Sequence, residues 1–459
     1  MSMTPATRIG SLGLSLVFAT AFGLHAQSLP EPLTLDDALR IAQVNGPAFR
    51  SATNSMERAR INEQRSFRNT FLPRISPNLR LTGRSYRNYN VEDYDGSLLD
   101  QPRVTEGQGS TSDQSVSISM TVFSGPALMN YFQQRAQADL AEAQFDAGVL
   151  QARAAVIRQF YAALQADDAI EVEERLTARA AQNLANVERR FALGGSQLEE
   201  VLSARVQVQR SEATIQRVRG EAYKARMELL EILGVDADAD FELAGMLPEP
   251  FDPELLDVDA LVARALESSP RMRQAEASLR STRASSRASL LQRLPIPTIN
   301  ASASWSRSRS AQDFGAVVDL NPRNTSYNIN FSLQVPISIP YLDFNADAQR
   351  ALDHLNLVDA EEAVRRARVE IANDVRAALI DLRNAYSNVV LAETEAELRR
   401  EQVAIMEERL AAGGSVDFLR FEQITDQAAD AERAVLNARI GFQNTLLALE
   451  QIVGAEVRP

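Results

Sequence analysis

Residues 326–335, SYNINFSLQV, alternate strictly, with Tyr327, Ile329, Phe331, Leu333 and Val335 on one side and Asn328, Asn330, Ser332 and Gln334 on the other. A period of two puts the sets on opposite faces of a strand. Val116, Ile118, Met120 and Val122 alternate in the same way with Ser117, Ser119 and Thr121. So do Ile299, Ala301, Ala303 and Trp305 with Asn300, Ser302, Ser304 and Ser306. Leu79 and Leu81 alternate with Asn78, Arg80 and Thr82, although Gly83 and Ser85 weaken that copy. The pattern predicts two strand pairs, about 77–86 with 114–123 and 297–306 with 326–335. The polar stretches 87–113 and 307–325 then read as external loops. One such strand fits a half-buried position in a soluble sheet. About ten alternating residues, apolar outward and polar inward, also describe a strand of an outer-membrane barrel.

Ahead of each strand pair the pattern predicts two helices, 35–45 and 48–70 in the first half, 258–268 and 271–293 in the second. A proline after each short helix disfavours helical geometry in the residue before it. Behind each pair lies a long helical region. Proline is absent between Pro126 and Pro248 and between Pro340 and Pro459, and Ala, Leu, Glu, Arg and Gln dominate both runs. Each run breaks once, at Gly194-Gly195-Ser196 and at Gly413-Gly414-Ser415, where glycine suits a helix end and turn. Val149, Val156, Ala163 and Ile170 fall seven apart beside Leu150, Ile157 and Leu164, and Val375, Leu382 and Val389 beside Leu379 and Tyr386. Such rows fit coiled-coil packing on two sides, or an ordinary helical hairpin.

The parts occur twice in the same order, each copy about 220 residues beyond its counterpart. LDDALRIAQVNGP matches VDALVARALESSP, RRFALGGS matches ERLAAGGS, and LLEILG matches LEQIVG. Repeats spanning 27–235 and 258–459, joined by an acidic, proline-bearing linker at 236–257, follow, with long helical hairpins at about 127–234 and 343–454. Residues 1–26 read as a secretory signal, with Arg8, a short apolar core and a small-residue cleavage site after Ala26. No cysteine stands there, so the mature chain is not expected to be lipidated at its N-terminus.

Composition removes several kinds of chemistry. A net charge of -13 argues against a nucleic-acid partner. With no cysteine and only His25 and His354, triads and His-based metal sites are nearly excluded, and no cofactor or metal is expected. The many carboxylates read as solvated helix faces paired with arginines. No GxxxxGK[ST] loop occurs for a nucleotide. With the export signal, the four strands point to lipid. Val116, Ile118, Met120, Ile299, Trp305, Tyr327, Ile329, Phe331 and Leu333 are the candidate lipid-facing residues, Trp305 and Tyr327 near the interface. Four strands cannot close a barrel, since the smallest have about eight. Several chains must therefore contribute. A secreted or periplasmic coiled-coil scaffold or adhesin explains the helices and leaves the strands unexplained.

The doubled Leu-x-x-Ala-Leu openings, the doubled Leu-Pro before a strand and the doubled Gly-Gly-Ser turns make the chain resemble the TolC family of outer-membrane efflux and secretion channels. The resemblance spans essentially the mature chain. It implies a mainly α fold, a long α-helical tunnel plus a transmembrane β-barrel shared between the protomers of a homotrimer, four strands from each. It also implies a Gram-negative outer-membrane location with helices reaching into the periplasm. The partners implied are a periplasmic membrane-fusion adaptor and an inner-membrane exporter of RND, MFS or ABC type. The docking tips would be Arg190, Gly194, Gly195 and Ser196, and Arg409, Gly413, Gly414 and Ser415. Asp417 would stand in an acidic pore constriction, with Glu200 its counterpart in the first half. The second tip is about two residues shorter than in well-known members, and Arg420 holds a further position that is acidic there. Asp417 reads equally as a solvated helix-start carboxylate.

Overall fold

A computed structural model describes residues 29–92, 97–236, 241–291, 296–313, 315–318, 321, 324–335, 344–411 and 418–458. The signal segment and Gly413, Gly414, Ser415 and Asp417 lie outside the described residues. The first half runs α1 (Leu35–Asn45), α2 (Pro47–Phe71), β1 (Arg74–Glu92), β2 (Leu98–Ser124), α3 (Gly125–Ala192) and α4 (Leu198–Leu233). The second runs α5 (Val258–Ser268), α6 (Pro270–Leu291), β3 (Thr298–Ala311), the short α7 (Gly315–Val318), β4 (Asn324–Gln334), α8 (Phe344–Ala411) and α9 (Phe418–Val453). Corresponding helices match in length, 11 residues in α1 and α5, 68 in α3 and α8, 36 in α4 and α9. At 1.5 Å per residue the longest run about 100 Å.

Local chemistry sets the ends. Thr34 caps α1 by accepting from the Asp37 amide, and Asp257 caps α5 through the Asp259 amide. Pro47 opens α2, where its missing N–H costs nothing. Gly234 and Gly454 end their halves in left-handed geometry, φ 69° and 78°. Each sits against the start of another helix. A Cβ on Gly234 would strike the Asn45 carbonyl, and one on Gly454 the Ser268 carbonyl. The close approach seats the end of α4 on the α1–α2 junction and the end of α9 on the α5–α6 junction.

Each half has its own core, and the cores correspond. Val156, Phe160 and Ala163 of α3 are buried with Ala38 and Ala42 of α1 and Leu229 and Leu233 of α4. Val375, Leu379 and Leu382 of α8 are buried with Leu261 and Ala265 of α5 and Leu449 and Val453 of α9. The seven-residue row continues as Ala396 and Val403, both buried. α3 packs on α4, α2, α6 and α9, which explains its two adjacent apolar rows.

The four strands form one antiparallel sheet in the order β1-β2-β3-β4, so β2 and β3 join the two expected pairs. The expected loops need correction. Segment 87–113 is mostly strand, because β1 reaches Glu92 and β2 starts at Leu98. Segment 307–325 holds the end of β3, then α7, then the start of β4. Beyond Ser110, whose partner Ala311 ends β3, β1 and β2 continue as a two-stranded ribbon. Its residues no longer alternate in polarity, so periodicity could not reveal it.

Candidate functional site

Register assembles the sheet's two faces. Val116, Trp305 and Tyr327 form one cross-strand row, Ile118, Ala303 and Ile329 the next, Met120, Ala301 and Phe331 a third, and Ile299 and Leu333 a fourth. All nine candidate lipid-facing residues therefore share one face, which β1 extends with Ile75 opposite Ile118. Tyr327, Ile329, Phe331 and Leu333 are 66–79% exposed, a contiguous apolar surface of the kind that calls for a partner other than water. The reverse face is hydroxyl- and amide-rich. Ser76, Ser117, Ser304 and Asn328 lie in one row, the Thr121 hydroxyl donates to the Asn300 side-chain oxygen at 3.1 Å, and the Ser306 and Ser326 hydroxyls bond at 2.7 Å. The outer edges of β1 and β4 pair with no described strand.

Where the sheet meets the helices, Phe67 and Phe71 of α2 pack with Tyr131 of α3, ring centroids 5.0–5.9 Å apart, and Tyr131 packs with Phe132. Phe67, Phe71 and Phe132 are exposed. Girdles of aromatic residues flank the apolar band of outer-membrane barrels. The sequence reading missed this cluster, since the hairpin β1–β2 separates its two parts. No described helix is long and apolar enough to cross a membrane.

At the far end, α3 turns into α4 over Leu193–Gln197. Gly194 has φ 77° and donates to the Phe191 carbonyl at 3.0 Å, while Gly195 donates to the Arg190 carbonyl at 2.9 Å, the bond pattern of a left-handed helix stop. The Arg190 guanidinium reaches back to the Gly195 carbonyl at 3.4 Å. Ser196 donates its hydroxyl to the Glu200 carboxylate. The structure thus brings Arg190, Gly194, Gly195, Ser196 and Glu200 together and ties Glu200 into its own turn, in the first turn of α4, where the helix dipole favours a carboxylate. Arg409 lies exposed in the last turn of α8. Leu193, 89% exposed, crowns the first tip.

Above that tip, the hairpin α3–α4 and helix α9 border a cleft of about 880 Å³, running from Arg190 up to Glu173 and Arg433. Glu173 is buried and accepts from the Arg433 guanidinium at 2.6 Å, which holds the Arg433 pKa up; Arg433 also meets Asp430 at 2.7 Å. Glu432 of α9 bridges Arg400 of α8 at 3.2 Å and Arg175 of α3 at 3.9 Å. Glu173 therefore departs from the solvated role expected of the acidic residues. Burial raises the Asp426 pKa, Asp430 adds to the rise, and Arg433 and Arg210 oppose it. Burial also raises the pKa of Asp168, with Glu171 and Asp167 adding repulsion. His354 lies exposed on α8. Among the described residues no group of His, Asp or Glu could hold a metal ion. Charges of both signs line the cleft.

Among curated proteins none matches it in sequence. Solved structures of similar fold include the CmeC outer membrane channel of Campylobacter jejuni, 13% identical, TM-score 0.67, covering 99% of this chain and 95% of that one. The outer membrane protein VceC of Vibrio cholerae is 14% identical, TM-score 0.64, covering 92% of this chain and 96% of its own. The open state of the MtrE outer membrane channel of Neisseria gonorrhoeae is 16% identical, TM-score 0.63, covering 92% of this chain and 89% of its own. The family model described as outer membrane efflux protein matches residues 38–235 and again 261–455. The chain belongs to the outer membrane efflux protein family, whose channels are transport conduits and not enzymes.

Proposed function

We propose that three copies of this chain form a passive channel-tunnel from the periplasm through the outer membrane of a Gram-negative cell. It takes substrate from an inner-membrane exporter through a periplasmic membrane-fusion adaptor. The observation that carries the reading is a sheet with one apolar face, one polar face and two edges that no described strand covers. In lipid every backbone N–H and C=O needs a partner, so an open edge cannot persist. Pairing β4 of one protomer with β1 of the next satisfies both edges and closes a barrel that four strands cannot close alone.

The helices support the same assembly. Along α8, Val369, Ile380, Leu391, Leu398 and Ile405 stay exposed, spaced first eleven and then seven residues apart. An eleven-residue repeat keeps a helix nearly straight or slightly right-handed, whereas a seven-residue repeat winds left-handed. These exposed residues leave each stave an apolar stripe beyond its buried one, which fits packing against staves of neighbouring protomers. Residues 27–235 and 258–459 act as its two repeats, with 236–257 in the equatorial region.

The tips receive the adaptor through Arg190, Gly194, Gly195 and Ser196, with Arg409, Gly413, Gly414 and Ser415, and Asp417 lines the constriction, where three symmetry-related carboxylates would hold cations. A Cβ on Gly194 meets no atom within 4 Å, so a larger residue there costs only backbone strain, on the order of 1 kcal/mol. The test is Gly194→Trp with export, outer-membrane fractionation and oligomer size measured together. Loss of export with membrane insertion and assembly intact supports tip docking; undiminished export rejects it. A secreted coiled-coil scaffold would instead stay soluble without detergent.

A further inference from the structure

We propose that Arg307, stacked on Trp305, is a docking point for a lipid-borne phosphate of the outer leaflet, one per protomer; the inference rests on the membrane reading of the sheet.

On β3 and β4 the apolar rows of the exposed face end at Trp305 and Tyr327, while β1 carries Leu79 and Leu81 in the next two rows. Two residues beyond Trp305, on that same face, comes Arg307, exposed, its guanidinium carbon 4.8 Å from the indole centroid. Its cross-strand neighbours, Gln114 and Thr325, carry no charge. The nearest acid in register, Asp113, stands opposite Arg80 and Ser308, residues of the reverse face. Arg307 forms no ion pair with a described residue, and Arg309 follows two residues on with a second cation on the same face.

Position decides what such a guanidinium meets. A tilted barrel strand needs about 9–11 residues to cross the apolar band, and Ile299 to Arg307 covers that length. Arg307 thus lies at headgroup height, at the end of the sheet away from the long helices, which is the outer-leaflet side. Stacking on an indole holds the guanidinium plane and leaves its edge N–H groups free to donate. A phosphate accepts two such bonds in parallel, and a planar, weakly hydrated cation gives up little to make them. A zwitterionic headgroup offers a phosphate already balanced by its own cation. A phosphomonoester on an outer-leaflet lipid is unbalanced, and it is the occupant this geometry selects.

Trp305 is the only tryptophan of the chain, so its fluorescence reports this site alone. The full-length mature protein is reconstituted in phosphatidylcholine vesicles with brominated acyl chains, which quench a lipid-facing indole. Unbrominated phosphatidic acid, a phosphomonoester lipid, is then added in steps. If the lipid gathers at Arg307 it relieves the quenching about fivefold more effectively than unbrominated phosphatidylcholine does. Arg307→Gln should bring the two lipids to parity, and Arg307→Lys should keep part of the preference. Parity in the parent protein, or an unchanged preference in Arg307→Gln, overturns the proposal. So does loss of the preference when inorganic phosphate is added at the concentration of the lipid, because the site would then serve a soluble anion. Absence of any quenching by the brominated lipid is a separate result, which would remove the membrane reading itself.

Discussion

A Cβ placed on Gly454 would lie 2.5 Å from the carbonyl oxygen of Ser268, and the Ser268 hydroxyl in turn donates to the Val453 carbonyl at 2.6 Å. The end of α9 is thereby locked against the junction of α5 and α6. Gly234 meets Asn45 in the same way in the first half. Both glycines also hold positive φ. Gly454→Ala or Gly234→Ala should each cost roughly 1–3 kcal/mol, strain and clash together. Gly220→Ala, on the exposed side of α4 with nothing within 4 Å, should gain roughly 0.5–1 kcal/mol. Thermal unfolding of the three variants in detergent measures the contrast.

The pair Glu173–Arg433 joins the first hairpin to α9. Removing its buried carboxylate as Glu173→Gln should lower stability by about 1–2 kcal/mol. That is less than for a fully buried pair, because the arginine is 39% exposed and keeps Asp430. Arg433→Gln should cost more, because it leaves the buried Glu173 carboxylate without its cation, and the double variant less than the sum of the two. Strict additivity would mean that the two side chains do not work as a pair.

Asp168 provides a pH test. Burial lifts its pKa, with Glu171 and Asp167 adding to the rise. Between the ordinary aspartate value of about 3.9 and that raised value, the folded chain keeps a proton that the unfolded chain has released. Stability from this group is therefore present at low pH and declines as pH climbs through the interval. Asp168→Asn should melt above the parent at pH 7 and converge with it as pH falls below about 4. A difference that persists in acid would assign the effect to packing.

Much of the fold was legible because it is written in short periods. The row Val375, Leu382, Val389 is buried as its seven-residue spacing requires, and helices α1 and α5 have the expected limits. The strand faces were legible for the same reason, since Ile329 and Asn330 cannot share one side. What stayed hidden depends on contacts between distant parts. Phe71 and Tyr131 meet only because α2 and α3 flank the same hairpin, and Glu173 is buried only because α9 lies over it. The ribbon of β1 and β2 lies beyond the apolar band, so nothing in its surroundings imposes alternation on residues such as Tyr86 and Gly107, which face each other across it. The tip turn was visible in its glycines, but the bond from Ser196 to Glu200 was not.

Edge pairing between protomers can be tested by cross-linking, because the chain contains no cysteine of its own. Asn78→Cys on β1 is combined in turn with Asn328→Cys, Asn330→Cys and Ser332→Cys on β4, all on the polar face, and the protein is oxidised in its native membrane. A barrel closed by three chains predicts, for the pair in register, covalent dimers and trimers and nothing larger, with no product from any single-cysteine variant. A protein that stays monomeric in every combination, and that is soluble without detergent, would contradict the assembly.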